Sequence, residues 1–169
     1  MQRIVIIGCT GAGKSVFAQK LSRLLGIKLH HLDSLFWAGR REPDRDEWIK
    51  IQEEIISQPS WIIEGNYGAT IDTRLRHADT VVFLDFSAVS CILGLLKRIV
   101  LSKLGFEKRP DIIPGLNERI DTKLLRDALT FNKKHRNGIL KGLERYPHVR
   151  AITLRSRRET EQFLRSNGG

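Results

Sequence analysis

Cysteine is scarce in this 169-residue chain: Cys9 and Cys91 are the two present, far apart, with no Cys or His partner at metal-ligand spacing. That pattern fits a reducing compartment and excludes a structural zinc site, leaving Cys9 as a candidate reactive thiol. A long apolar run is also missing. The nearest approach, Val81 to Leu104, is interrupted by Asp85, Lys97, Arg98 and Lys103, so a membrane span is not expected. The opening Met-Gln-Arg leads straight into an apolar strand pattern rather than an export signal, so the expected location is cytoplasmic. Internal repeats, low-complexity tracts and recognisable nucleic-acid reader motifs such as a helix-turn-helix or zinc finger are absent too.

What is present is a strongly cationic chain, with a formal net charge of +10, a pI near 10.1 and 41% hydrophobic residues. The length and composition predict a single globular domain over 1–169. The charge favours anionic partners: nucleotides, phosphorylated small molecules or nucleic acid.

Strand and helix patterns alternate along the chain. Arg3-Ile4-Val5-Ile6-Ile7 reads as a buried parallel strand stopped by Gly8, and Lys14 to Leu25 as an amphipathic helix stopped by Gly26. Further strands are expected at Ile27–Leu32, Trp61–Glu64, Thr80–Asp85 and Val149–Leu154. Helices are expected at Asp44–Ser57, Ala88–Leu101, about Asn117–Tyr146 and Arg158–Leu164, the last capped by Ser156. This order predicts an α/β fold with a parallel sheet of about five strands and helices on both faces. Residues 102–117, with Gly105, Pro110, Pro114, Gly115 and several cations, are the expected lid.

Between the first strand and helix stands Gly8-Cys9-Thr10-Gly11-Ala12-Gly13-Lys14-Ser15, which fills every fixed position of G-x-x-x-x-G-K-[ST]. Such a loop turns backbone N–H groups and a helix N-terminus toward phosphate, so Gly8 through Val16 are the expected nucleotide-binding residues. Lys14 is expected to reach the β- and γ-phosphates of ATP, and the Ser15 hydroxyl to bind Mg²⁺.

The acid just beyond the second strand, Asp33, is the candidate for orienting or deprotonating an acceptor hydroxyl. The flexible turn Glu64-Gly65-Asn66-Tyr67 offers Asn66 and Tyr67 as acceptor contacts. Asp85, at the end of the fourth strand, is the candidate second metal-binding acid. Cations to stabilise developing phosphoryl charge are sought in Arg74, Arg76, Arg98, Arg109 and Arg119, with Arg109 the catalytic candidate and Arg74 a substrate-binding candidate. Trp37, Trp48 and Trp61 are read as packing residues.

The blocks Ile6 to Ser15, His31-Leu32-Asp33 with Phe36-Trp37, Trp61 to Tyr67, Arg74-Leu75 and Ala78 to Asp85 together resemble the P-loop kinase-like proteins called DNA topology modulation (FlaR-type) proteins, relatives of adenylate kinase. The resemblance runs nearly end to end, and its most distinctive block is Trp-Ile-Ile-Glu-Gly-Asn-Tyr. It implies a nucleoside/nucleotide kinase-type fold, ATP binding at Gly11 to Ser15 and an acceptor pocket near Asp33 and Asn66. Such proteins commonly carry Pro-Arg shortly after the strand-end acid, a place held here by Ser87-Ala88.

Two function classes follow. The first is an ATP- and Mg²⁺-dependent kinase acting on a small-molecule acceptor, possible acceptors including nucleosides and nucleotides. The second is an ATP-switched nucleic-acid-binding regulator that affects DNA topology, for which Lys133-Lys134-His135-Arg136 and Arg155-Ser156-Arg157-Arg158 supply basic clusters. The kinase reading predicts that Lys14→Ala abolishes ADP formation from ATP both alone and with an acceptor; undiminished turnover in that variant rejects it.

Overall fold

Four consecutive β-branched residues, Ile4 to Ile7, are at most 1% exposed, which only a strand covered on both faces provides. The computed structural model of the chain describes residues 1–38, 41–103, 128–131 and 136–168. In it this strand, β1 (Arg3–Gly8), is the middle of a five-stranded parallel sheet. The other strands are β2 (Leu29–His31), β3 (Trp61–Glu64), β4 (Thr80–Leu84) and β5 (Arg150–Leu154), in spatial order β2-β3-β1-β4-β5. Register is set by pairs such as Val5 with Ile63 on one side and Val5 with Val81 on the other.

Helices α1 (Lys14–Leu25), α2 (Leu32–Trp37), α3 (Arg45–Ile56), α4 (Ile71–Leu75), α5 (Ala88–Lys103), α6 (Asn137–Glu144) and α7 (Arg157–Ser166) flank the sheet in a three-layer arrangement. Their ends follow local chemistry. Gly26 closes α1 in the left-handed conformation with its N–H on the Ser22 carbonyl. The Asp44 carboxylate accepts from Glu47 N at the start of α3, and the Ser156 hydroxyl accepts from Glu159 N at the start of α7.

The sheet of five parallel strands expected from the sequence is the one observed. Strand β2 is shorter than expected because Leu32 already opens α2, burying its side chain completely. The turn Gly68–Thr70 and α4 lie in a stretch where the sequence carried no clear period. The expected lid over 102–117 falls, beyond the last two residues of α5, outside the described residues, as do Arg109 and Arg119. Among the described residues no helix is long and apolar enough to cross a membrane.

Because all strands run parallel, the loops after β1, β2, β3 and β4 open along one edge, where open α/β sheets bind ligands. The opposite edge is tied by Asp79. Its Oδ2 accepts from Gln2 N at 2.7 Å and Arg3 N at 2.9 Å, and its Oδ1 from the Thr80 hydroxyl at 2.7 Å. Burial pushes its pKa up, but these donors outweigh burial and hold the carboxyl below its ordinary 3.8. Its contribution is therefore present above that pH and lost as pH falls through the lowered value. Asp79→Ala is expected to cost about 1 kcal/mol at pH 7, after allowance for solvent screening. Urea denaturation at a series of pH values should show the difference from wild type shrinking below pH 3.8.

Candidate active site

The turn after β1 is shaped by close approach. Gly11 has φ +88, and a Cβ there would collide with the Cys91 carbonyl of α5. Reciprocally, a Cβ on Gly94 would collide with the Gly11 carbonyl, so the two glycines let α5 lie directly against the loop. Gly13 caps α1 with φ +85 and no side-chain cap is made, which leaves first-turn N–H groups of α1 for an anion. Lys14 Nζ donates to the Cys9 carbonyl at 3.3 Å, folding the ammonium back over the loop.

These backbone groups face a cleft of about 540 Å³ lined by Thr10 to Phe17, Gln19 and Lys20, by Asp33 and Glu64, and by parts of α5 and α7. The cations Lys14, Lys20, Lys97, Arg98 and Arg157 converge on it. Such convergence focuses positive potential on a small volume and suits a polyphosphate.

The acid beside the loop is Glu64. It is 5% exposed, and its Oε2 accepts from Ser15 Oγ at 3.2 Å and pairs with His31 Nδ1 at 2.9 Å. This follows from the sheet order: β3 is the direct neighbour of β1, and Ile6 pairs with Glu64 itself. Asp85 ends β4 on the other side, but both its carboxylate oxygens accept from Arg136 Nε at 2.9 Å and Arg136 Nη2 lies 2.9 Å from Oδ2. Asp85, expected from the sequence as a metal-binding acid, has its carboxylate engaged by a guanidinium, and Glu64 is the acid next to Ser15.

Asp33 stands exposed in the first turn of α2 and lines the same cleft as the phosphate loop. The Tyr67 hydroxyl stands beside its carboxylate; burial first, then the Asp33 charge, hold the phenol above its usual range and keep it protonated. The Tyr67 ring packs between Phe36, with centroids 5.2 Å apart, and Trp48, at 5.0 Å. Asn66 faces the loop: Gly8 N donates to its Oδ1 at 3.1 Å and its Nδ2 donates to the Gly8 carbonyl at 3.0 Å.

Arg74 is a second correction. It was expected to bind substrate, yet it is 0% exposed and donates to the carbonyls of Gly65, Asn66 and Tyr67. Arg76 is exposed and does not line the cleft, whereas Arg98 does. The Cys9 side chain is buried, and the hydrogen bond with Cys9, then burial, push the Cys91 thiol up. Cys9 thus borders the phosphate loop through its backbone, and burial argues against the accessible thiol expected from sequence. Val16 is exposed on the first turn of α1 and lines the cleft with its neighbours. Trp48 and Trp61 are buried packing residues as expected, and Trp37 packs edge-on against Phe36.

Sequence reasoning passed over Glu64 as the acid beside Ser15, along with Lys97 and Arg157 as cleft-lining cations. Glu64 was visible as the last residue of a buried strand, a position where a charge needs a reason. Lys97 and Arg157 carried no motif and acquire their role only from the packing of α5 and α7.

The oxygen set of Ser15 and Glu64, with Asp33 in the same cleft, is of the hard kind that suits Mg²⁺. Among the described residues no cluster of three or more His, Cys, Asp or Glu forms a protein-only metal cage.

Solved structures share this architecture. Shikimate kinase from Bacteroides thetaiotaomicron aligns over 98% of this chain and 95% of its own, with a TM-score of 0.55 and 14% identity. Shikimate kinase from Acinetobacter baumannii, in complex with shikimate, aligns over 98% and 90%, with a TM-score of 0.58 and 17% identity. No protein-family model and no curated protein matches the chain. At these identities the likeness is one of fold: a P-loop NTPase fold of the kinase type, three-layer α/β. Neither neighbour is a DNA topology modulation protein.

The contact between α5 and the phosphate loop has a direct test. Gly94→Ala is expected to destabilise the fold by about 1–3 kcal/mol through overpacking against the Gly11 carbonyl. Gly138→Ala, in α6 with nothing within 4 Å of the new Cβ, is expected to be neutral or to stabilise by up to about 1 kcal/mol. Urea denaturation of both variants measures the contrast.

Proposed function

We propose that the protein is an ATP-dependent phosphotransferase acting on a hydroxyl-bearing small molecule. The observation that carries this reading is that the phosphate loop, Glu64 and Asp33 line one cleft, so a triphosphate and an acceptor meet in the same space. The kinase-type fold supports it, and the Acinetobacter neighbour is a kinase with its small-molecule ligand bound.

In this reading the amides of the loop and the α1 N-terminus hold the β- and γ-phosphates, and Lys14 neutralises charge between them. Ser15 and Glu64 would hold Mg²⁺, which when bound supplies charge neutralisation across the phosphate oxygens. Asp33 accepts the acceptor's hydroxyl proton as that oxygen bonds to the γ-phosphorus and the bridging bond to the β-phosphate breaks, releasing ADP. Tyr67, kept protonated, orients the Asp33 carboxylate by its hydroxyl. Lys97, Arg98 and Arg157 stand where charge on the transferring group needs compensation. Five cations line the cleft and suit phosphate binding, and among the described residues no feature favours the DNA-regulator alternative over this one.

The test is a screen of nucleosides, nucleotides, shikimate and small phosphorylated metabolites for ATP-to-ADP conversion with Mg²⁺ present. At least one acceptor is expected to raise ADP formation well above the rate with water alone. Glu64→Gln, which keeps the shape and removes the charge, is expected to lower that rate by about tenfold or more and to raise the Mg²⁺ concentration needed. Stimulation by an acceptor that is indifferent to both Glu64→Gln and Lys14→Ala contradicts the reading.

A further inference from the structure

Arg74 is the most expensive side chain in the molecule to explain. It is fully buried, and its hydrogen-bond partners among the described residues are three main-chain carbonyls rather than a carboxylate. Nη1 reaches Gly65 O at 2.8 Å, and Nη2 reaches Asn66 O at 2.7 Å and Tyr67 O at 3.1 Å. Nε is buried without a partner among the described residues, and burial pushes the guanidinium pKa down to about 10. A buried cation with no counter-ion opposes stability, so its geometry calls for another account.

The three carbonyls belong to consecutive residues of an unusual turn. Gly65 has φ +139, and Tyr67 is the one non-glycine residue with positive φ among the described residues, at +35. A bulky residue in that region is strained and stays there only when its surroundings hold it. The Arg74 fork is what holds it, helped by the ring contacts of Tyr67 with Phe36 and Trp48.

The turn touches two residues that border the cleft. Asn66 exchanges two hydrogen bonds with Gly8, the first residue of the phosphate loop. Tyr67, the next residue, meets the Asp33 carboxylate. Adjacent residues of one clamped turn therefore set the phosphate loop and the acceptor-side acid.

We propose that Arg74 is a positioning residue that fixes the phosphate loop, through Asn66, and the acceptor-side Asp33, through Tyr67, as one rigid unit. The proposal rests on the kinase reading for its functional meaning, though the link itself is a property of the fold. Lysine cannot replace the arginine here, because a single ammonium does not span three carbonyls in the plane of a fork.

The experiment compares Asn66→Ala, Tyr67→Phe and Arg74→Lys, singly and in pairs with Arg74→Lys. Binding is read with AMP-PNP and Mg²⁺, turnover as ADP formation at saturating ATP, both well below the melting temperature. Asn66→Ala and Arg74→Lys are expected to weaken AMP-PNP binding about tenfold, and Tyr67→Phe to leave it within about twofold. Tyr67→Phe and Arg74→Lys are expected to lower turnover about tenfold. Adding either single change to Arg74→Lys is expected to cost less than about twofold more, since the link is already broken. In amide NMR spectra Arg74→Lys moves the signals of both Gly8 and Asp33, Asn66→Ala mainly Gly8, and Tyr67→Phe mainly Asp33.

A lower melting temperature in Arg74→Lys with binding and turnover unchanged overturns the proposal, as do losses that multiply in the paired variants. A wild type that binds no AMP-PNP overturns the kinase reading instead. In that event the link stands or falls on whether Arg74→Lys moves both amide signals.

Discussion

The phosphate loop keeps its shape because it is gripped from two sides by groups that belong to neighbouring strands and helices. On the β3 side Asn66 pairs with both the N–H and the carbonyl of Gly8. On the other side α5 presses its backbone onto Gly11, with Gly94 making the approach possible. A loop held this way pays its ordering cost during folding, so its amides are oriented before any anion arrives. The sheet order makes the grip possible, since β1 sits between β3 and β4 and the segments following both strands reach its C-terminal end.

The same order decides which acid matters. With β3 adjacent to β1, Glu64 comes within 3.2 Å of Ser15 Oγ, while His31 from the next strand shares the same carboxylate oxygen. Asp85 follows directly after β4 on the other side of β1 and is paired with Arg136. Two acids at strand ends that look alike in the chain thus have different partners, and the difference lies in which cation packs over each. Charge elsewhere follows a related logic: cations from α1, α5 and α7 face one cleft, and the positive field is concentrated there.

Much of this was legible from residues alone. The buried strand Arg3 to Ile7, the glycines and Lys14-Ser15 of the loop, the strand Trp61–Glu64 and the cap Ser156 are local features, written in apolar runs and turn chemistry. Asp33 and Tyr67 follow strand ends, and strand ends in a parallel sheet share one side. Arg74 was misread because an arginine in a polar, irregular stretch looks like a ligand contact; only the fold shows the three carbonyls that surround it. Glu64 was missed for a similar reason. Its neighbours Ser15 and His31 are 49 and 33 residues away in the chain, and no spacing rule joins them.

The central claim is that the preformed amide loop, with Lys14 folded over it, is a triphosphate site. Equilibrium dialysis of the wild-type protein with labelled ATP and magnesium tests it without reference to any acceptor. The account predicts saturable binding of one nucleotide per chain, displaced by unlabelled ATP; retention of neither ATP nor GTP by folded protein would contradict it.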